Sequence, residues 1–158
     1  MAAIGRRAPN IRPAQMIEVD TNILVYAHRA ESVFFTQAYE CIKSLAEGKQ
    51  IWGIPVSCIH EFLAVVTNPK IFNSASTHEQ ALAQIEAWLE SPHVQILHSG
   101  TQHWAILSAL THKAKLLGGQ FRDARIAEIC IENGVSILYS ADRDFGRFKD
   151  LKTSNPLV

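Results

Sequence analysis

Four acidic residues stand out because of the residues that surround them. Asp20 and Asp142 each follow an apolar run of the kind that forms a buried β-strand. Glu61 and Asp123 belong to helix-like segments that are apolar on most sides. A carboxylate in an apolar segment needs an ion-pair partner, a metal ion or another specific contact. These side chains are therefore the first candidates for chemistry.

Each of the four also has a purely structural explanation. Asp20 can start a turn, Asp123 can cap its helix, and Asp142 can lie in a solvated loop beside an arginine. Glu61 can form a salt bridge with an arginine instead of binding a metal. Taken together, however, two carboxylates at strand ends and two on apolar helices converge most simply on one site.

Such a site favours a hard metal ion. Clustered carboxylates repel one another, so without a cation at least one of them stays protonated. Oxygen ligands with open coordination positions suit Mg²⁺ or Mn²⁺. An ion of this kind polarises a phosphate and lowers the pKa of a bound water, so phosphodiester hydrolysis needs no protein nucleophile.

The segments that must position these residues alternate between strands and helices. The predicted strands cover about 16–19, 51–54, 94–97 and 135–139, with a further edge strand within 151–158. The predicted helices cover a segment from 35 that ends at Gly48, and about 58–67, 77–90, 101–117 and 123–133, with Ser57 and Thr77 as N-caps. This alternation predicts an α/β fold whose parallel sheet is covered on both faces.

Composition narrows the class of protein. The chain of 158 residues has 15 Lys and Arg against 15 Asp and Glu, so it does not bind nucleic acid by bulk charge. The three cysteines lack a CxxC spacing and are expected to be buried small hydrophobes. No segment resembles a signal peptide or a membrane span. We expect a cytoplasmic protein with a flexible tail, 1–15, before one domain, 16–158.

Short motifs in this order resemble those of the PIN-domain ribonucleases and, among them, the VapC-type toxins of bacterial toxin–antitoxin pairs. They are Val19-Asp20-Thr21-Asn22, Glu61 on its apolar helix, Asp123-Ala124-Arg125-Ile126-Ala127, and Ser140-Ala141-Asp142-Arg143-Asp144-Phe145. The resemblance extends over residues 16–158.

The resemblance implies roles for individual residues. Asp20, Glu61, Asp123 and Asp142 would bind the metal, with Asp144 beside them as an outer or occasional ligand. Asn22 and Ser140 would orient carboxylates or water through hydrogen bonds. Ser140 stands where threonine is common in the family, and it keeps the hydroxyl group.

The resemblance also implies properties of the whole protein. It implies a three-layer α/β/α sandwich, a homodimer, and Mg²⁺- or Mn²⁺-dependent endonucleolytic cleavage of RNA that leaves a 5′-phosphate. A cognate VapB-like antitoxin would place its tail in the acidic groove and so neutralise a growth-inhibiting toxin.

For other polar and aromatic residues the sequence gives weaker evidence of a function. Basic residues flank the last two carboxylates and are candidates for RNA backbone contacts, with solubility or local ion pairing as the alternative: Arg122, Arg125, Arg143, Arg147 and Lys149. The seven histidines show no HxxxH or HExxH pairing, which disfavours zinc. The three tryptophans are expected in the core or in a dimer contact, with stacking on RNA bases as the alternative.

Two other functions are compatible with parts of the sequence. A haloacid-dehalogenase-like phosphatase also has an aspartate after its first strand, but it needs a second one where this chain has Asn22. A non-catalytic PIN-like module could bind RNA or a protein. Such a module has no reason to keep four mutually repelling carboxylates, which favours the nuclease.

Overall fold

The computed structural model describes residues 15–158, which form a five-stranded parallel sheet with the strand order β3-β2-β1-β4-β5. The strands are β1 (Met16–Val19), β2 (Ile51–Pro55), β3 (Val94–Leu97), β4 (Ile137–Tyr139) and β5 (Thr153–Ser154). β1 lies at the centre and pairs in parallel with β2 on one side and β4 on the other. The predicted parallel sheet is confirmed.

Six α-helices connect the strands and give the predicted α/β/α sandwich. They are α1 (Thr21–His28), α2 (Phe35–Glu47), α3 (Val56–Val66), α4 (His78–Leu89), α5 (His103–Ala114) and α6 (Gln120–Glu132). A short 3-10 helix, Arg143–Arg147, follows β4.

None of the helices within 15–158 is both long enough and apolar enough to cross a membrane. The predicted tail lies outside the described residues except for Gln15.

The core lies between the sheet and its helices. Trp52 and Trp88 are buried there, whereas Trp104 on α5 is 75% exposed and does not belong to the core. Cys58 and Cys130 are buried and Cys41 is partly buried, and all three are free thiols. The prediction that the cysteines act as small apolar side chains is thus confirmed for the two buried ones.

Of the two predicted helix N-caps, Thr77 is confirmed and Ser57 is not. Thr77 caps α4 as expected, since its hydroxyl accepts the N–H of Gln80 and the Gln80 side chain accepts the N–H of Thr77. The prediction of Ser57 as N-cap of α3 was wrong. The helix begins at Val56 directly after Pro55, whose fixed φ makes it a suitable residue before a helix. Pro55 itself still pairs with Leu97 as the last residue of β2.

Three helices differ from the prediction because of local features of the chain. The apolar run after Asp20 forms α1, a helix that the sequence did not predict because a short apolar run has no clear period. α5 is shorter than 101–117 because Lys115 adopts a left-handed conformation, with φ 52°, and ends it. α6 begins at Gln120, three residues before the predicted start. Asp123 therefore lies in the first turn of α6 and is not its N-cap.

Candidate active site

The carboxyl ends of β1 and β4 lie side by side and form the base of the site, because these strands are parallel neighbours. Asp20 follows β1 and Asp142 follows β4, while α3 supplies Glu61 and α6 supplies Asp123. All four side chains line one cleft of about 310 Å³. The structure thus brings together four residues that lie up to 122 positions apart in the sequence, from Asp20 to Asp142.

Asp20 is held in a fixed position by hydrogen bonds. Its side chain is buried, with 5% of the residue exposed. One carboxylate oxygen accepts the backbone N–H of Thr21 at 2.7 Å, and the other accepts the Ser140 hydroxyl at 2.7 Å. Burial raises the pKa of Asp20 to about 6; the two hydrogen bonds oppose this shift, and the nearby charges of Glu61 and Asp123 add to it.

A polar network joins the ends of the two strands. The Asn22 amide donates to the Ser140 hydroxyl at 3.4 Å, and its oxygen accepts the N–H of Ala141 at 3.2 Å. The Ser140 hydroxyl also accepts the N–H of Asp142 at 2.9 Å. Asn22 and Ser140 are therefore placed where they can orient Asp20 and Asp142, the role that the family resemblance implies for them.

Three aspartates form a tighter group, and two of them, Asp123 and Asp142, line the cleft. Asp123, Asp142 and Asp144 each offer a carboxylate oxygen, and these oxygens lie within 4.8 Å of one another. Burial raises the pKa of Asp123, and the neighbouring Asp142 charge raises it further. Arg147 moderates the negative charge, since its guanidinium lies 3.8 Å from the Asp144 carboxylate. Asp144 is thus close enough to Asp123 and Asp142 to share a cation with them, and its role as an outer or occasional ligand stays a prediction.

Glu61 differs from its expected environment. The apolar sequence of α3 predicted a buried carboxylate, but the helix turns Cys58, Phe62 and Val66 towards the core and leaves Glu61 exposed to the cleft. Its carboxylate accepts the Thr21 hydroxyl at 3.0 Å. Thr21 was not among the predicted site residues. Its position directly after a strand-terminal aspartate was the signal that could have identified it.

The predicted RNA-contact residues divide into three groups. Arg122 lines the cleft, and together with Arg125 it also lines an adjoining groove. Arg147 is turned towards Asp144 and donates to its backbone oxygen at 2.9 Å. Arg143 is exposed and, among residues 15–158, lines neither the cleft nor the adjoining groove. Only Arg122 and Arg125 are therefore placed beside the cleft without an acidic partner in the described chain.

The donor set fits Mg²⁺ or Mn²⁺. The grouped ligand atoms are all carboxylate oxygens, the type that these hard cations prefer, and no sulfur or imidazole belongs to the group. Burial raises the pKa of Asp20 and of Asp123, and the neighbouring carboxylate charges raise them further, so negative charge is unfavourable in the cleft. A divalent cation would offset both effects.

Sequence reasoning missed a buried acid next to the site. Glu18 on β1 is fully buried, and neither of its carboxylate oxygens has a hydrogen-bond partner within residues 15–158. Burial raises its pKa to about 9. Its position between Ile17 and Val19 in an apolar strand was the available signal, but the adjacent Asp20 explained the acidic character of the segment.

Comparison with known proteins identifies the family of the chain. The family model of the PIN domain matches residues 17–151. A VapC ribonuclease of Mycobacterium bovis is 34% identical over 142 residues, covering 90% of this chain and 96% of the relative. Ribonuclease VapC33 of Mycobacterium tuberculosis is 29% identical over 142 residues, covering 90% of this chain and 99% of that relative.

Solved structures share the fold. VapBC2 of Rickettsia felis, bound to a promoter DNA fragment, has a TM-score of 0.66 at 19% identity, over 89% of this chain and 98% of that chain. VapC20 of Mycobacterium tuberculosis, a sarcin-ricin loop cleaving toxin, has a TM-score of 0.59 at 18% identity, over 82% of this chain and 92% of that chain. From the family match and the ribonuclease relatives together, the chain belongs to the PIN domain family, among the VapC ribonucleases.

Proposed function

We propose that the protein is an endoribonuclease toxin that hydrolyses RNA phosphodiester bonds with the help of Mg²⁺ or Mn²⁺. The observation that carries this proposal is the convergence of Asp20, Glu61, Asp123 and Asp142 on one cleft. The VapC ribonuclease relatives supply the substrate class.

Asp123, Asp142 and Asp144 would hold the cation, with Asp20 and Glu61 lining the same cleft. When bound, Mg²⁺ or Mn²⁺ polarises the scissile phosphate and lowers the pKa of the attacking water. The water oxygen joins phosphorus and the bond to the 3′ oxygen breaks, which leaves a 5′-phosphate and a 3′-hydroxyl.

The other side chains prepare the site for this reaction. Ser140 and the Thr21 amide hold the Asp20 carboxylate still, so no reorganisation is needed when substrate arrives. The Thr21 hydroxyl fixes Glu61, which is otherwise free on an exposed helix face. Arg122 on the cleft wall supplies a positive charge for a phosphate.

The relatives support a proposal about the biological setting. VapBC assemblies are among the solved structural neighbours, which supports a cognate VapB-like antitoxin for this chain. We further propose that residues 16–158 act as one nuclease domain, that the protein forms a homodimer, and that it works in the cytoplasm, where its RNA substrate is found.

The test is RNA cleavage by purified protein. Wild type is expected to cleave RNA with Mg²⁺ or Mn²⁺ and to stop when EDTA is added. Asp123→Asn removes a charge from the three-aspartate group and is expected to lower the cleavage rate at least about 100-fold, since loss of a residue that merely supports a metal ligand already costs about 10- to 100-fold. Circular dichroism should show the variant folded.

The matched control is Asp150→Asn, which changes an exposed aspartate that pairs with Lys113 at 3.0 Å outside the cleft. Such a surface ion pair contributes little, so this variant should cleave like wild type. Metal-dependent cleavage that persists in Asp123→Asn would contradict the proposal. RNA binding by wild type with no cleavage in either metal would favour a non-catalytic PIN-like module.

A further inference from the structure

A second groove continues from the active-site cleft between α3 and α6. It has a volume of about 490 Å³. Its lining residues are His60, Glu61, Ala64, Phe121, Arg122 and Arg125. Glu61 and Arg122 also line the active-site cleft, so the two depressions share a wall. A linear polymer bound at the carboxylates can therefore extend into this α3–α6 groove.

The α6 side of the groove combines an aromatic ring with positive charge. Phe121 is 41% exposed, although it is a large apolar side chain. Arg125 lies four residues after Phe121 and three after Arg122, so the three side chains project from one side of the helix. Neither arginine forms an ion pair or a side-chain hydrogen bond with any residue in 15–158. Their guanidinium groups are thus available to a ligand.

The α3 side of the groove is formed by small and polar side chains. Ala64 is small and exposed, and His60 lies one turn before it on the same side of the helix. The other lining residue from α3 is Glu61, which also lines the active-site cleft. The groove thus combines an exposed aromatic ring, a small residue and two cations.

These features match the chemistry of a nucleotide. Proteins bind single-stranded nucleic acid by stacking bases on aromatic rings and by placing Arg or Lys along the phosphates. Because the net charge of the chain is zero, its attraction for a polyanion has to be local. An acidic peptide could use the two arginines, but it gives no reason for the exposed phenylalanine beside them or for a groove that shares a wall with the active site.

We infer that the α3–α6 groove is a nucleotide subsite, in which Phe121 stacks on the base of a nucleotide next to the scissile bond while Arg122 and Arg125 contact its flanking phosphates. This inference rests on the proposed ribonuclease function. It assigns Phe121 as a residue that positions the substrate.

The experiment uses a fluorescently labelled single-stranded RNA whose cleavage site is first mapped with wild-type protein. We compare kcat/KM for Phe121→Ala, Phe121→Trp and Arg125→Ala. Phe121→Ala should lower kcat/KM about 5- to 100-fold, the range for loss of one stacked base, while Phe121→Trp keeps the ring and should stay near wild type. The binding constant for RNA falls as the salt concentration rises, and the slope of its logarithm against log salt concentration should be less steep by about 0.7 in Arg125→Ala.

Matched controls lie outside the groove. Trp104→Ala removes an exposed aromatic ring from α5, and Lys43→Ala removes an exposed charge from α2. Both variants should cleave at the wild-type rate.

RNA substrates that lack one base distinguish a role of Phe121 in positioning the substrate from a purely structural role. With wild type, an abasic nucleotide beside the cleavage site should lower kcat/KM about as much as Phe121→Ala does. In Phe121→Ala the same abasic substrate should cause little further loss, because the stacking partner is already absent. If Phe121→Ala is poorly folded, Phe121→Leu serves for the same comparison.

Wild-type kcat/KM in Phe121→Ala would overturn the inference, and so would an equal penalty for the abasic substrate in wild type and variant. If the groove variants cleave normally but no longer bind the antitoxin, the first of these results is explained by a groove that binds a protein partner. Absence of metal-dependent cleavage in wild type would instead contradict the proposed function, which is measured first.

Discussion

Asp20 shows how the site keeps a buried carboxylate beside others of the same charge. Two hydrogen bonds hold it, yet its pKa stays raised at about 6 because burial outweighs them. The same conflict appears at Asp123, whose pKa is raised in spite of Arg147. Negative charge on these two carboxylates is therefore unfavourable in the cleft, and a bound cation would offset this cost.

Glu18 gives a pH dependence that can be measured. Its folded-state pKa of about 9 lies above the ordinary value of 4.5, so the folded protein keeps a proton that the unfolded chain releases. The contribution of Glu18 to the free energy of unfolding therefore falls as pH rises from about 4.5 towards about 9. Glu18→Gln removes the ionisable group and should stabilise the protein on the order of a few kcal/mol at pH 8, but by less than about 1 kcal/mol at pH 5.

Urea unfolding in EDTA at both pH values checks this prediction. Glu40→Gln, on the exposed side of α2, is the control and should change stability little at either pH. A Glu18→Gln effect of the same size at pH 5 and pH 8 would show that Glu18 does not titrate as described.

β2 contains the glycine that makes room for Glu18. A Cβ atom on Gly53 would clash with the Glu18 carboxylate and would lie 2.5 Å from the backbone oxygen of Gln95 on β3. Because backbone in the centre of a sheet cannot move aside easily, Gly53→Ala should destabilise the fold by about 1–3 kcal/mol.

Thermal or urea unfolding measures this cost. The control is Gly119→Ala, because a Cβ at Gly119 meets nothing within 4 Å and its φ of −61° is ordinary for alanine. That variant should be neutral or slightly stabilising. Equal stability of Gly53→Ala and wild type would mean that β2 and β3 separate more readily than their close packing indicates.

The elements that were predicted well are those with local signals. α4 has a capping box, and β1 and β3 are short apolar runs within one residue of their predicted bounds. The elements that were missed or shifted depend on tertiary contacts. α1 is a helix because it packs on α2 and α3, and the start of α6 is set by the turn after Leu117. Periodicity alone does not contain this information.

The convergence of the four acidic residues was predictable to a similar extent. Asp20, Glu61, Asp123 and Asp142 were singled out by their surroundings and their order, and they do line one cleft, although Glu61 is exposed. The roles of Thr21 and Glu18 depend on which side chains face each other across the sheet and α3. Sequence spacing does not provide those contacts.

The molecule as a whole places its site at the point where the strand order reverses. From β1 the chain builds β2 and β3 on one side and then returns to build β4 and β5 on the other. The ends of β1 and β4 therefore open into a crevice, which is where open α/β sheets bind ligands. α3 and α6 flank this crevice and extend it into the α3–α6 groove. With zero net charge, the attraction of the chain for a polyanion such as RNA has to come from local groups of basic residues.

Titration of Mn²⁺ into the metal-free protein, followed by calorimetry, tests the central claim most directly. Wild type should bind Mn²⁺ saturably, and Asp142→Asn should weaken binding by at least about 10-fold, because it removes a ligand from the three-aspartate group. Circular dichroism should show that the variant remains folded. Failure of wild type to bind Mn²⁺, or equal affinity in wild type and Asp142→Asn, would contradict the assignment of this cleft as a metal site.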